Sequence, residues 1–327
     1  MKKLFVILLM VLAISKVGAQ NYKTLDEIQI RDPFIYADQS TNTYFLYQTS
    51  DTVINGQTRG GVIVWRSNDL QRWAGPKRVF TCPAGNYLTG QVWAPEMHKY
   101  KGKFYLFLTI NGDIEWRGQK AGWQKYLHRV VQVMRAKSPL GPFEPITNLP
   151  TTAIDQMALD GTLYVEDDKP YIVYCNEWVQ RGDGTFRLAE LTPDLSRTTD
   201  DGHDLFCASA APWCVPVQHS DDGTPGYVSD GCFIWRTSKK LLMLFSSFCK
   251  RGYTVGVAES LTGKIAGPWH IQPEPLIDFD GGHAMIFRDL GGQTWLVAHS
   301  PNSPSGKERA RLVKIEETVN GDIRLVE

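Results

Sequence analysis

The stretch DGCFIWRTSKKLLMLFSSF (Asp230–Phe248) is an acid and a glycine, an apolar run, a short polar turn and a second apolar run. Two apolar runs of strand length about such a turn predict a β-hairpin. The same order returns four more times: DPFIYADQSTNTYFLY (Asp32–Tyr47), PEMHKYKGKFYLFL (Pro95–Leu108), DGTLYVEDDKPYIVY (Asp160–Tyr174) and GHAMIFRDLGGQTWLV (Gly282–Val297). A repeat outranks any single segment in deciding a fold, because each copy can bury its faces only against its neighbours.

Most copies continue in the same way. GVIVWRSNDL, VVQVMRAKSPL and VGVAESLTG are alternating third strands that end in Ser and a turn. Gly-Pro then introduces a fourth strand in AGPKRVF, LGPFEP and AGPWHI; the third copy has RLAELTPDL but no matching Gly-Pro. Counted from Asp32, Glu96, Asp160, Asp230 and His283, the copies are 64, 64, 70 and 53 residues apart. Five copies of four strands, without a long amphipathic helix, predict a single all-β domain, a five-bladed β-propeller. A β-sandwich of repeated hairpins would have less regular third and fourth strands.

The 35 basic and 35 acidic residues cancel, which removes the electrostatic case for nucleic acid or an anionic membrane as partner. At the N-terminus Lys2 and Lys3 precede an eleven-residue apolar run, LFVILLMVLAI, and the small residues Val17-Gly18-Ala19. That is a secretory signal, residues 1–19, and is too short to span a bilayer. The expectation is an exported chain, periplasmic or secreted, mature over residues 20–327 and monomeric. Six cysteines fit an oxidising compartment and allow two or three disulfides; the plainer reading is small buried side chains with one bridge at most. No Cys-x-x-Cys spacing suggests zinc.

In a propeller the first strand of each blade lines the central channel, so the opening residues Asp32, Glu96, Asp160, Asp230 and His283 converge on one pocket. Taken singly, an Asp before Pro or Gly is a turn residue, Glu96 can pair with Lys99, and His283 can be a satisfied core histidine. Recurrence at one place in the repeat is what argues for a site. Converging carboxylates shift each other's proton affinities, which a structural protein has little use for and an acid–base enzyme needs.

These motifs, in this order, resemble glycoside hydrolase family 43, the five-bladed propellers that cleave arabinofuranosides, xylosides and related sugars. RDPFIY is similar to the family's Asp-Pro motif of blade 1, VWAPEM to its Trp-Ala-Pro-Glu motif, LDGTLYVEDDKPYIVY to its blade 3 Asp motif and GGHAMIF to its blade 5 His motif. The resemblance implies Asp32 as general base and Asp160 as the carboxylate that tunes the acid. It implies His283 near the axis, where family members often hold a calcium ion or a water, with no cofactor required for the chemistry. The family's general acid is usually a Glu opening blade 4, where this chain has Asp230, one methylene shorter. Glu177, in VYCNEW at the end of the second strand of blade 3, is the other candidate, since the hairpin returns it to the rim of Asp160; it is favoured as proton donor, with Asp230 supporting it or binding substrate.

The implied reaction is hydrolysis of an oligo- or polysaccharide with inversion, base and acid standing roughly 6.5–9.5 Å apart so that water fits between them. Trp93, Trp178 and Trp213 are candidate sugar-stacking surfaces, with Glu96 beside them, although each tryptophan also suits a core. Arg309 and Arg311 are weaker candidates for a hydroxyl contact. The insert NGDIEWRGQKAGWQKYLHRV (Asn111–Val130) is expected to wall one end of the pocket and so favour end-trimming. The rivals are a sugar-binding propeller that has lost its chemistry and a fructoside-acting relative. Intact Asp32 and Asp160 oppose the first, and Arg31-Asp32-Pro33 as the first motif opposes the second.

Overall fold

In the computed structural model, which describes residues 21–83, 90–123 and 125–326, each of the five quoted stretches supplies the innermost hairpin of a blade. In sheet order, blade 1 is Phe34–Asp38, Thr43–Thr49, Gly61–Ser67 and Trp73–Thr81, with Tyr22–Lys23 added outside. Blade 2 is Val92–Tyr100, Lys103–Glu115, Leu127–Ala136 and Glu144–Pro145. Blade 3 is Ala158–Glu166, Lys169–Asn176, Thr185–Glu190 and His203–Cys207, so the copy without Gly-Pro still has its fourth strand. Blade 4 is Asp230–Arg236, Leu241–Cys249, Gly252–Ser260 and Trp269–Ile271, and blade 5 is Gly282–Arg288, Thr294–Ser300, Arg309–Glu317 and Ile323–Val326. All pairings within the blades are antiparallel.

Inner strands lie between two blades and are buried on both faces, so they read as unbroken apolar runs rather than alternations. Leu241 to Phe245 illustrate this, each with no exposed surface. Truncating such a leucine to alanine costs about 2–5 kcal/mol. Lys101-Gly102 and Asp167-Asp168 have φ of 45°, 75°, 50° and 63°, the left-handed pair that closes a two-residue hairpin with the twist of its strands. The ring closes where the Ile30 N–H donates to the Glu308 carbonyl at 3.0 Å and Gln29 bridges to Arg309.

The predicted leader lies outside the described residues. All six cysteines are unpaired and four are buried, which corrects the allowance for two or three disulfides. They serve as small packing groups. No helix of the described residues is long and apolar enough to cross a membrane.

Candidate active site

Four of the five inner strands begin with a β-bulge. The ladder breaks between Trp93 and Glu96, Leu159 and Thr162, Asp230 and Phe233, and Gly282 and Met285. At these bulges, and just before the inner strand of blade 1, the backbone turns to positive φ: Asp32 at 50°, Ala94 at 43°, Asp160 at 54°, Gly231 at 56° and His283 at 50°. Asp and His tolerate this region better than most side chains, and strain of this kind concentrates at functional sites. Gly231 is required, since a Cβ there would stand 2.9 Å from the Cα of His283. The bulge also corrects the repeat frame: the positions equivalent to Asp32 are Ala94 and Gly231, with Glu96 two residues inward and Asp230 one residue outward.

Three of these positive-φ positions are pinned by the preceding blade. The Asp160 N–H donates to Thr109 Oγ1 at 2.8 Å, the His283 N–H to Ser246 Oγ at 2.8 Å, and the Asp32 N–H to His299 Nδ1 at 3.3 Å. Thr109, Ser246 and His299 pair with the residues just before the bulges of their own blades, so a single position of the repeat locks neighbour to neighbour. At the fourth joint the Gly231 N–H donates to Asp160 Oδ2 at 2.9 Å, which ties blade 4 to the carboxylate itself.

These elements open onto a cleft of about 660 Å³ whose lining includes Asp32, Asp160, Glu177, Asp230, Trp93, Trp178 and His283. Asp32 is surrounded by nitrogen: His299 Nδ1 at 3.2 Å, His283 Nδ1 at 3.4 Å and Arg31 Nε at 3.7 Å from Oδ1. Burial alone would raise its proton affinity, but His283, His299 and Arg31 together outweigh burial and hold the carboxyl well below the usual range. The ring of Tyr253 stacks on His299, and its hydroxyl donates to Asp230 Oδ2 at 3.0 Å.

The other three carboxyls go the opposite way. Glu177 is pushed up to about 7 by burial, against the pull of Arg129 and with a push from Asp230. Asp160 is raised to about 8 by burial and then by Asp32, while the Gly231 N–H opposes the rise. Burial and Asp160 raise Asp230 to about 7. Glu177 Oε1 accepts from Arg129 Nη1 at 3.0 Å, whereas Oε2 is buried without a protein partner. One ionised carboxylate and one protonated carboxyl in a single cleft are what acid–base chemistry at neutral pH requires.

Glu96 and Trp213 do not line the cleft. Glu96 is buried and pairs with His98 at 3.0 Å, and Trp213 stacks on Phe245 at 5.6 Å. Arg311 lies over Phe279, and Arg309 donates to the Asp26 carbonyl. Trp178 packs edge-on against Trp123 and Tyr126 at 4.9 and 5.7 Å. The insert flanks the Glu177 side of the cleft: its loop is stapled to the 218–226 segment, as where Asp221 N–H donates to the Ala121 carbonyl, and it contributes Tyr126 and Arg129. Among the described residues no group of three or more His, Cys, Asp or Glu side chains is placed to hold a metal ion, and His283 Nδ1 faces Asp32 and Asp160 (3.6 Å). This donor set does not fit a calcium ion.

The repeat pattern does not single out Arg129, Tyr253 or His299 as site residues. His299 was the most findable, because it occupies in blade 5 the place that Thr109 and Ser246 occupy in theirs. Arg129 lies in an insert that no other copy of the repeat shares.

The family model for glycosyl hydrolases family 43 matches residues 27–319. Among solved structures, the endo-arabinase of Bacteroides thetaiotaomicron VPI-5482 is similar at 33% identity and a TM-score of 0.79, over 91% of this chain and 98% of that one. A thermostable family-43 glycoside hydrolase (23% identity, TM-score 0.71, 91% and 92% covered) and an endo-1,4-beta-xylanase from Bacteroides thetaiotaomicron VPI-5482 (21%, 0.67, 94% and 97%) share the fold. No curated protein matches the chain. A family match over nearly the whole propeller, on a cleft where one carboxyl has its proton affinity lowered and three have theirs raised, makes the chain a glycosidase that belongs to glycosyl hydrolases family 43.

Proposed function

We propose that this enzyme hydrolyses α-L-arabinofuranosyl linkages of an arabinan-type polysaccharide outside the cytoplasm, with Asp32 as general base and Glu177 as general acid. The opposed environments of these two carboxyls carry the reading: Asp32 sits among His283, His299 and Arg31, and Glu177 is raised to about 7 with Oε2 unpartnered. Water attacks the anomeric carbon and passes a proton to Asp32, which is ionised throughout the working range. The bond to the leaving oxygen breaks as Glu177 protonates it. Burial keeps the proton on Glu177 near neutral pH, and the partial negative charge of Asp230 adds to that hold against the pull of Arg129. Inversion follows if the water is held between base and acid. The choice of sugar rests on the likeness to an endo-arabinase, and export rests on the leader that the sequence predicts at residues 1–19.

The test is product release from linear arabinan, xylan and galactan, with para-nitrophenyl α-L-arabinofuranoside, β-D-xyloside and β-D-galactofuranoside run beside them. Cleavage of arabinan with little from xylan is expected. Turnover confined to xylan or galactofuranoside would overturn the sugar but keep the chemistry, and binding without turnover of any substrate would overturn the catalytic assignment.

A further inference from the structure

Arg129 stands at the end of the insert, just past the register break between Leu127 and Arg129 in the third strand of blade 2. Its side chain is 4% exposed, and a cation buried so far is costly unless it is paired. Two rings and one carboxyl take it up. The guanidinium lies 4.4 Å from the centroid of Trp93 and 5.4 Å from that of Tyr126, and Nη1 donates to Glu177 Oε1 at 3.0 Å. The aromatic faces attract the cation and fix its plane.

An arginine has donors only, so the Glu177 oxygen that it grips must accept. A proton on Glu177 therefore belongs on Oε2, the buried oxygen with no protein partner. We propose that Arg129 is a positioning residue for the proton donor: held between Trp93 and Tyr126, it fixes Oε1 of Glu177 and so presents Oε2 to the leaving oxygen. The inference rests on Glu177 being the donor. The other charged and titratable groups around Glu177 are Tyr126 of the insert, Asp160 of its own blade and Asp230 of blade 4; His128 lies beside Arg129. Among them Arg129 pulls the proton affinity of Glu177 down and Asp230 pushes it up.

Arg129→Gln and Arg129→Lys are compared with wild type by pH–rate profiles on a linear arabinan oligosaccharide and on para-nitrophenyl α-L-arabinofuranoside. In Arg129→Gln, turnover of the oligosaccharide is expected to fall about tenfold or more, and that of the aryl glycoside far less. The alkaline limb should move up by about one pH unit. Arg129→Lys keeps the charge without the planar fork, so its limb should stay near wild type while its oligosaccharide turnover falls; it carries the test if Arg129→Gln does not fold. Equal losses on both substrates with an unmoved limb would overturn the inference and leave Arg129 as packing for two rings. Glu177→Gln separates the two levels: if that variant keeps the alkaline limb and its oligosaccharide turnover, the donor assignment itself fails, whatever the arginine variants do.

Discussion

Asp32 and Glu177 are both buried carboxyls in one cleft, yet they behave as opposites. Desolvation penalises the charged form of each. Asp32 more than recovers that penalty, because blade 5 places His283 and His299 beside it and its own neighbour Arg31 adds a guanidinium. Glu177 has a single cation, Arg129, and that benefit is offset by Asp230 across the joint between blades 3 and 4. Burial does not set a role; what matters is the sign of the charge that each blade brings to it. In a propeller that charge comes from the adjoining blades, so acid and base are separated by their place on the ring.

The sharpest way to break this comparison is to neutralise each carboxyl in turn. Asp32→Asn should lower turnover by about 10³-fold or more on every substrate, because no leaving group replaces the base. Glu177→Gln should lose about 10²–10⁴-fold on a natural linkage and much less on a para-nitrophenyl glycoside, whose leaving group needs little protonation. Steady-state kinetics on both substrate classes read the difference. Equal losses for Glu177→Gln on both would remove its role as acid.

A smaller effect comes from stability. The folded value of Asp160, about 8, lies above its ordinary 3.8, so the native state holds that proton more tightly than the unfolded chain does. Its contribution to stability is complete below about pH 4 and is lost as pH rises through about 8. Asp160→Asn can still accept from the Gly231 N–H, and it carries no charge to bury. Its melting temperature, followed from pH 5 to 9, should fall less with rising pH than that of wild type, and at pH 8 should lie a few degrees above it. A wild type that grows more stable on the alkaline side would contradict the assigned sign.

The fold was legible because it was written five times. The hairpin pattern needed no long-range information, and even blade 3, without its Gly-Pro, formed its third strand where RLAEL alternates and a fourth strand beyond it. The site was legible only where it coincided with the repeat. Asp32, Asp160 and His283 hold the same positive-φ place at the entry of their blades and could be found from the pattern alone. Glu177 followed from hairpin geometry, since Leu159 faces Cys175 and Ala158 faces Asn176. The failures have a physical cause. In blade 2 the position equivalent to Asp160 and His283 is Ala94, which carries no acid, so the pattern offers Glu96, two residues inward and outside the cleft, in its place. Trp213 looked like any exposed platform, and only the packing of blade 4, with Phe245 beneath it, shows otherwise. Arg129 and the Tyr126 ring arrive from a non-repeating insert, which no periodicity can place.

Asp230 offers the finest test, because its effect is small and its sign is fixed. It faces Tyr253 through Oδ2 at 3.0 Å, and it raises the proton affinity of Glu177. Asp230→Asn keeps the shape and the acceptor for Tyr253 but removes the negative neighbour, so Glu177 should give up its proton more easily. The alkaline limb should then move down, by a fraction of a pH unit, since Asp230, itself raised to about 7, carries only part of a charge there. The shift is opposite in direction to that expected of Arg129→Gln. Two variants that move one limb in opposite senses would locate the titrating group between Arg129 and Asp230, where Glu177 stands. If instead Asp230→Asn loses turnover on natural linkages and keeps it on aryl glycosides while Glu177→Gln does neither, the donor is Asp230 and the two carboxyls exchange roles.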